Sequence, residues 1–232
     1  MSNKILFVVT GARHWTLADG TEHPTGFWAE ELVTPRRTFA DAGYEVEFAT
    51  PGGVAAVVDQ GSLAAEVNGG QEQADAIAAE LDSLTGLSQP LTLADVNLDD
   101  YAAVFYPGGH GPMEDLAVDA DSARLLTGAL ASGRPLGIVC HGPAALLATG
   151  SDGPSPFAGY QVTGFTNAEE EQAGLAEQAK WLLQDRLVEL GTEFQAGDPW
   201  QPHTVVDRNL YTGQNPASSA PLSRQMVEAL AR

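Results

Sequence analysis

The chain has 232 residues, 44% of them hydrophobic and 18% charged, a composition that suits one globular core and excludes a disordered or low-complexity protein. Its 31 acidic against 11 basic side chains give a net charge of -20 and a pI near 4.3, a field that repels phosphate backbones and anionic lipid, so neither nucleic acid nor membrane is expected as a partner. MSNKILFVVT is too short an opening for a signal segment and no later run has spanning length, so a cytoplasmic location is expected. The single cysteine, Cys140, excludes an internal disulfide and a multi-thiolate metal site.

Taken in chain order, the apolar run at 4–9 (KILFVV) predicts a buried strand. GFWAEELVTPRRTFADA (26–42) predicts an amphipathic helix that Pro35 kinks or divides. A strand over 44–50, an irregular excursion over 51–70 and a helix over 70–83 follow, then strands at 102–107 and 135–140 with helices at 121–132 and 141–149. Beyond a Pro/Gly-rich connection at 150–159 the pattern predicts a strand at 160–165, a helical region over 168–190, a surface connection at 196–203 and a terminal helix at 218–231. Strands that are apolar throughout, alternating with helices, indicate βαβ units: a doubly wound, flavodoxin-like α/β sandwich with a mostly parallel central sheet, expected here as a single domain over 1–232. In such sheets the sites lie at the carboxyl ends of the strands.

Cys140 falls at such an end, in GIVCHGPAALLATG (137–150), where a buried strand meets a helix between two glycines. That is the pattern of a nucleophile elbow, in which the side chain projects above the sheet and the N-terminal amides of the next helix favour a thiolate by lowering its pKa. The plainer alternative is a cysteine that merely closes a buried strand. His141 follows directly and can reach around the turn toward a substrate or an acid. A second strand exit, YPGGHGPMEDL (106–116), offers the amides of Gly108, Gly109 or His110, with that of His141, to hold the oxyanion formed when a thiolate attacks a carbonyl.

HPTGFWAEELVTP (23–35), YPGGHGPMEDL, GIVCHGPAALL, VTGFTNAEEE (162–171) and YTGQNPASS (211–219), in this order, resemble the ThiJ/PfpI superfamily of class I glutamine amidotransferase-like proteins, in the branch of heat-shock protein 31 and glyoxalase III. The resemblance implies that Cys140 is a nucleophile and His141 its neighbour in a Cys-His-acid arrangement. The acid follows the TGFT segment and falls at Glu170, with Glu169 and Glu171 one position to either side; the alternative for all three is a solvated helix start. The family glutamate that touches the cysteine sulfur maps to Glu31 rather than Glu30, and a buried carboxyl there has a raised pKa suited to acid–base work; the alternative is a pair of exposed helix acids.

The implied activity is conversion of methylglyoxal or a related 2-oxoaldehyde to a 2-hydroxy acid without glutathione. The alternatives are a protein/nucleotide deglycase, a PfpI-like hydrolase, a stress-response holdase chaperone and a redox-sensing thiol. No cofactor is expected. No pair among His14, His23 and His203 has a ligand spacing, so no metal is expected either, and the resemblance implies a homodimer.

Overall fold

Strand β1 (Lys4–Val8) leads the computed structural model, which describes residues 2–151 and 153–232; all but the first of its five residues are buried. The chain then forms an antiparallel hairpin, β2 (His14–Thr16) with β3 (Glu22–Pro24), before helix α1 (Ala29–Asp41) and strand β4 (Glu45–Thr50). Helices α2 (Gln71–Ser83) and α3 (Thr85–Ser88), a short β5 (Leu91–Thr92), β6 (Ala103–Tyr106), α4 (Ala120–Ser132) and β7 (Leu136–Val139) complete the first two thirds. The remainder comprises β8 (Gln161–Val162), α5 (Asn167–Ala173), α6 (Leu183–Glu189), β9 (Glu193–Phe194), β10 (Thr204–Asp207), β11 (Leu210–Gly213) and α7 (Ser219–Leu230).

Seven strands form the central sheet in the order β10-β11-β7-β6-β1-β4-β5, all parallel except β10, which pairs antiparallel with β11 at one edge. This is the doubly wound α/β architecture anticipated from the alternating apolar runs. Aromatic rings hold its centre: Phe7 on β1 packs edge-on against Phe39 of α1 and Phe48 of β4 at centroid distances of 6.0 and 5.9 Å, and at a shallower tilt against Phe105 of β6 at 4.9 Å. On β7, Gly137 leaves room for Met226 of α7, whose Sδ would lie 2.2 Å from any Cβ placed there.

Four expectations change. Helix α1 runs unbroken through Pro35. The segment after Cys140 is a 3-10 helix, Gly142–Gly150, in which Pro143 supplies no N–H and buried alanines press against α4 and α6, rather than an α-helix. The strand expected at 160–165 shortens to β8 and joins β9 outside the central sheet, because Thr163 and Phe165 give their amides to Thr212 and to the carbonyl of Cys140 instead. The helical region 168–190 divides into α5 and α6 at Gly174, whose φ of +80° ends the first piece. Strands β1, β6, β7 and β11 end at one edge of the sheet, which brings Thr10, Gly108, Cys140 and Gln214 together.

Candidate active site

Cys140 is one of three non-glycine residues among those described with a positive φ, here +58°. Such a conformation costs about 1–3 kcal/mol and persists only where its surroundings impose it. They do so through both backbone groups: the Cys140 N–H donates to the carbonyl of Gly213 at the end of β11, at 2.9 Å, and its carbonyl accepts from Phe165 N–H at 2.8 Å. The sharp turn lifts the side chain off the sheet, and Sγ lies 3.3 Å from His141 Nδ1. Cys140 is nonetheless only 4% exposed.

On the far side of its ring, His141 Nε2 meets Glu170 Oε2 at 2.7 Å, while His110 Nε2 meets the other oxygen, Oε1, at 2.9 Å. Burial disfavours the Glu170 anion, yet the two imidazoles overcome that and hold the carboxyl far below the ordinary carboxylate range. Burial, with His110 adding to it, pushes His141 down to about 4. A carboxylate only accepts hydrogen bonds, so both Nε2 atoms carry the proton and His141 turns a bare Nδ1 lone pair toward the sulfur. Apolar walls fix the rings: Trp15 stacks on His110 at 4.9 Å and Phe165 lies 4.4 Å from His141.

Trp15 reaches the site because its hairpin is pinned. Glu114 accepts from the Thr16 amide and hydroxyl, both at 2.8 Å, and Asp115 accepts from Thr10 Oγ1 and the amides of Gly11 and Ala12. Both acids belong to the YPGGHGPMEDL segment that also carries His110, so one loop sets the ring and the wall it stacks on.

Glu31 approaches from the opposite side, on the first turn of α1, fully buried. Its Oε2 accepts from the Gly108 amide at 2.8 Å; Oε1 has no N–H or O–H donor, and the group beside the carboxyl is the Cys140 thiol. Burial pushes Glu31 up to about 8. Burial and the neighbouring Glu31 charge also drive the Cys140 thiol well above its ordinary value, with only the Gly109 amide favouring the thiolate. The expectation of a thiol lowered by helix amides is therefore corrected: the dominant neighbour is a carboxyl in a dry pocket, and the two groups compete for protons.

Every anticipated residue, Glu31, Gly108, Gly109, His110, Cys140, His141 and Glu170, lies at this strand edge. Two of the oxyanion amides are otherwise engaged, since Gly108 N–H is bound by Glu31 and Gly109 N–H faces the sulfur. Of the three neighbouring acids, Glu169 turns back to cap α5 through Thr166 and takes bonds from Trp200 and Asn215, and Glu171 is exposed, which leaves Glu170 facing the histidines. His14 and His203 stand outside the cluster. The converging donor set is instead His110, His141 and Glu170, whose ligand-type atoms all lie within 4.8 Å of one another. The His110 side chain, Trp15 and Phe165 were not anticipated as parts of the site.

A parallel sheet of this order, a strained cysteine at its carboxyl edge and a buried glutamate beside the sulfur define the class: the chain belongs to the DJ-1/PfpI family, whose pattern matches residues 23–229. Among individual proteins, it is 30% identical over 240 aligned residues, 98% of this chain and 80% of the relative, to a Staphylococcus aureus protein named protein/nucleic acid deglycase HchA. It superposes with a TM-score of 0.86 and 28% identity on the Francisella tularensis Rapid Encystment Protein 24 kDa, over 99% of each chain. Glyoxalase III from Candida albicans superposes at 0.82 with 25% identity, covering 97% of this chain and 96% of that one.

Proposed function

We propose that the protein is an enzyme that converts methylglyoxal or a related 2-oxoaldehyde to the 2-hydroxy acid, without glutathione, through Cys140. The observation that carries this reading is the line from Cys140 Sγ to His141 Nδ1 (3.3 Å) and from His141 Nε2 to Glu170 (2.7 Å), closed on the other side by Glu31. His141 takes the thiol proton on Nδ1 as sulfur adds to the aldehyde carbon, and the carbonyl oxygen is protonated to give a hemithioacetal. A base, His141 or the Glu31 carboxylate, then removes the hydrogen on that carbon. The resulting enediol is protonated at the neighbouring carbon, leaving a thioester. Water hydrolyses the thioester to the 2-hydroxy acid and returns the thiol, so that the sum is oxoaldehyde plus water. Protonated Glu31 suits this cycle, because a neutral carboxyl donates to the sulfur where an ionised one repels it.

The name of the Staphylococcus relative favours a second reading, removal of sugar-aldehyde adducts from proteins or nucleic acids. Two properties of this chain favour the small free aldehyde: Cys140 is 4% exposed, beside a His141 ring that Phe165 packs against, and a net charge of -20 opposes approach of a nucleic acid. The test follows methylglyoxal loss and lactate formation without glutathione for the unaltered protein, Cys140→Ala and Glu31→Gln. Stoichiometric lactate, abolished in Cys140→Ala, is expected. Loss of a preformed adduct at a rate that rises in proportion to enzyme, with no lactate from free aldehyde, would replace this reading with deglycation. A holdase acting through exposed apolar surface would be indifferent to Cys140→Ala.

A further inference from the structure

We infer that His110, His141 and Glu170 form a binding site for one divalent transition-metal ion of the zinc type, and that an ion bound there holds the site out of action. The binding half stands on geometry alone; the inhibitory half rests on the function proposed above.

Two imidazole nitrogens and a carboxylate are the donor set of many three-ligand zinc centres, with the fourth position left to water. Here the three side chains present their ligand-type atoms within 4.8 Å of one another. Donors about 3.4 Å apart suit metal–ligand bonds of about 2.1 Å in a tetrahedron, so shifts of an ångström or so bring them onto one ion. The rings lie 4.0 Å apart centre to centre with both Nε2 atoms on the Glu170 carboxylate, and Trp15 packs against His110 and Phe165 against His141. Glu170 is 2% exposed, and among the described residues its ion-pairing partners are these two imidazoles, with no Lys or Arg. A buried carboxylate without a permanent cation is where a divalent ion gains most.

The consequence for His141 follows from its two nitrogens. An ion on Nε2 needs the lone pair there, so the ring proton moves to Nδ1, the atom 3.3 Å from Cys140 Sγ. The ring stays neutral, but Nδ1 becomes a donor to sulfur and no longer accepts a proton from thiol or substrate. Sγ faces the other edge of the ring and takes no part in coordination.

The test titrates the purified protein with Co²⁺, whose visible absorption intensifies in a tetrahedral site, and counts bound ion by mass spectrometry. The expected result is one Co²⁺ per chain, the same spectrum in Cys140→Ala, and affinity at least about tenfold weaker in both His110→Ala and Glu170→Gln. Zn²⁺ displaces the cobalt and stops lactate formation, and a chelator restores it. No uptake at micromolar ion, uptake indifferent to both His110→Ala and Glu170→Gln, or uptake lost in Cys140→Ala each overturns the assignment; two ligand variants keep the test usable where one fails to fold. Cobalt binding is read without substrate, so it succeeds or fails independently of the glyoxalase reading.

Discussion

The rings of His110 and His141 lie 4.0 Å apart, centre to centre, and aim their Nε2 atoms at opposite oxygens of Glu170. One carboxylate thereby sets the tautomer of two histidines, and the Nδ1 lone pair beside the sulfur exists because Nε2 has somewhere to send its proton. In Glu170→Gln the side-chain amide can accept from one ring only by offering its NH₂ to the other, so at least one histidine changes tautomer. Turnover of 2-oxoaldehyde is expected to fall by roughly 10²- to 10⁴-fold, mostly in kcat, since the group positions the base and does not bind substrate. Nitrogen NMR of His110 and His141 separates this from general damage: the proton leaves Nε2 of at least one of the two rings in a folded variant. Retention of both the tautomer and the rate in Glu170→Gln would sink the assigned role.

The Glu31 carboxyl carries a signature in stability against pH. Its folded-state value, about 8, lies above the ordinary 4.5, so between these values the folded state holds a proton that the unfolded state has released, and stability falls as pH rises. His141 runs the other way: lowered to about 4 from 6.5, it makes stability rise with pH across that window. The two slopes oppose each other between about pH 4.5 and 6.5, and Glu31 acts alone from 6.5 to 8. Denaturant unfolding of Glu31→Gln and the unaltered protein at matched pH cancels the remaining groups. The variant is expected to gain on the parent progressively from pH 4.5 to 8 and then hold level, by a few kcal/mol at most, since one pKa unit is worth about 1.4 kcal/mol. A difference that is flat across that range would remove the buried, protonated glutamate from the mechanism.

Trp15 makes a separate prediction, because it stacks on His110 from a hairpin that Glu114 pins through both groups of Thr16. Glu114→Ala leaves those groups to water and is expected to cost about 1–2 kcal/mol. It should also speed amide hydrogen exchange in residues 14–24 while exchange in the central strands stays slow. Activity should drop less than in any substitution of Glu170. Unchanged exchange in the hairpin would mean that Trp15 is held by its own packing.

The site was legible in the sequence to the extent that a local pattern fixed it. Cys140 and His141 could be placed because an apolar run, a small-residue turn and Gly-Pro follow one another, and Glu31 because its segment matches the family. The acid could have been read more sharply. Thr166 and Glu169 stand in the T-x-x-E spacing of a capping box, which turns Glu169 back onto the helix start and leaves Glu170 to face the site. What stayed hidden is non-local. Strands β2, β3, β5 and β9 have two or three residues each, too few to show a period, and the edge strands β10 and β11 have four residues each. Trp15 and His110 meet only after folding. The thiol shift runs against the local pattern because the helix amides are neighbours in sequence, whereas burial and Glu31, a carboxyl more than a hundred residues away, decide it.

Gly108, just beyond the end of β6, and Gly137, within the neighbouring β7, are both closely surrounded, but by atoms that differ in kind. A Cβ at Gly108 would lie 2.7 Å from Glu31 Oε2, from the amide of His141 and from the carbonyl of Val139. Two of these atoms are backbone and the third is a carboxyl already bound to the Gly108 amide, so nothing can yield without moving the elbow. A Cβ at Gly137 meets Met226 Sδ at 2.2 Å and Phe105 at 2.8 Å, side chains of which the first is long and has three free torsions. Gly108→Ala is therefore expected to cost more than about 2 kcal/mol and to abolish turnover, because it displaces Glu31 from the sulfur. Gly137→Ala should cost less, with activity largely kept, and pairing it with Met226→Ala should recover part of the loss. Thermal melts and lactate assays of the three variants check this ordering; a Gly108→Ala protein as stable and active as its parent would mean that the strand edge yields where its backbone contacts leave no room.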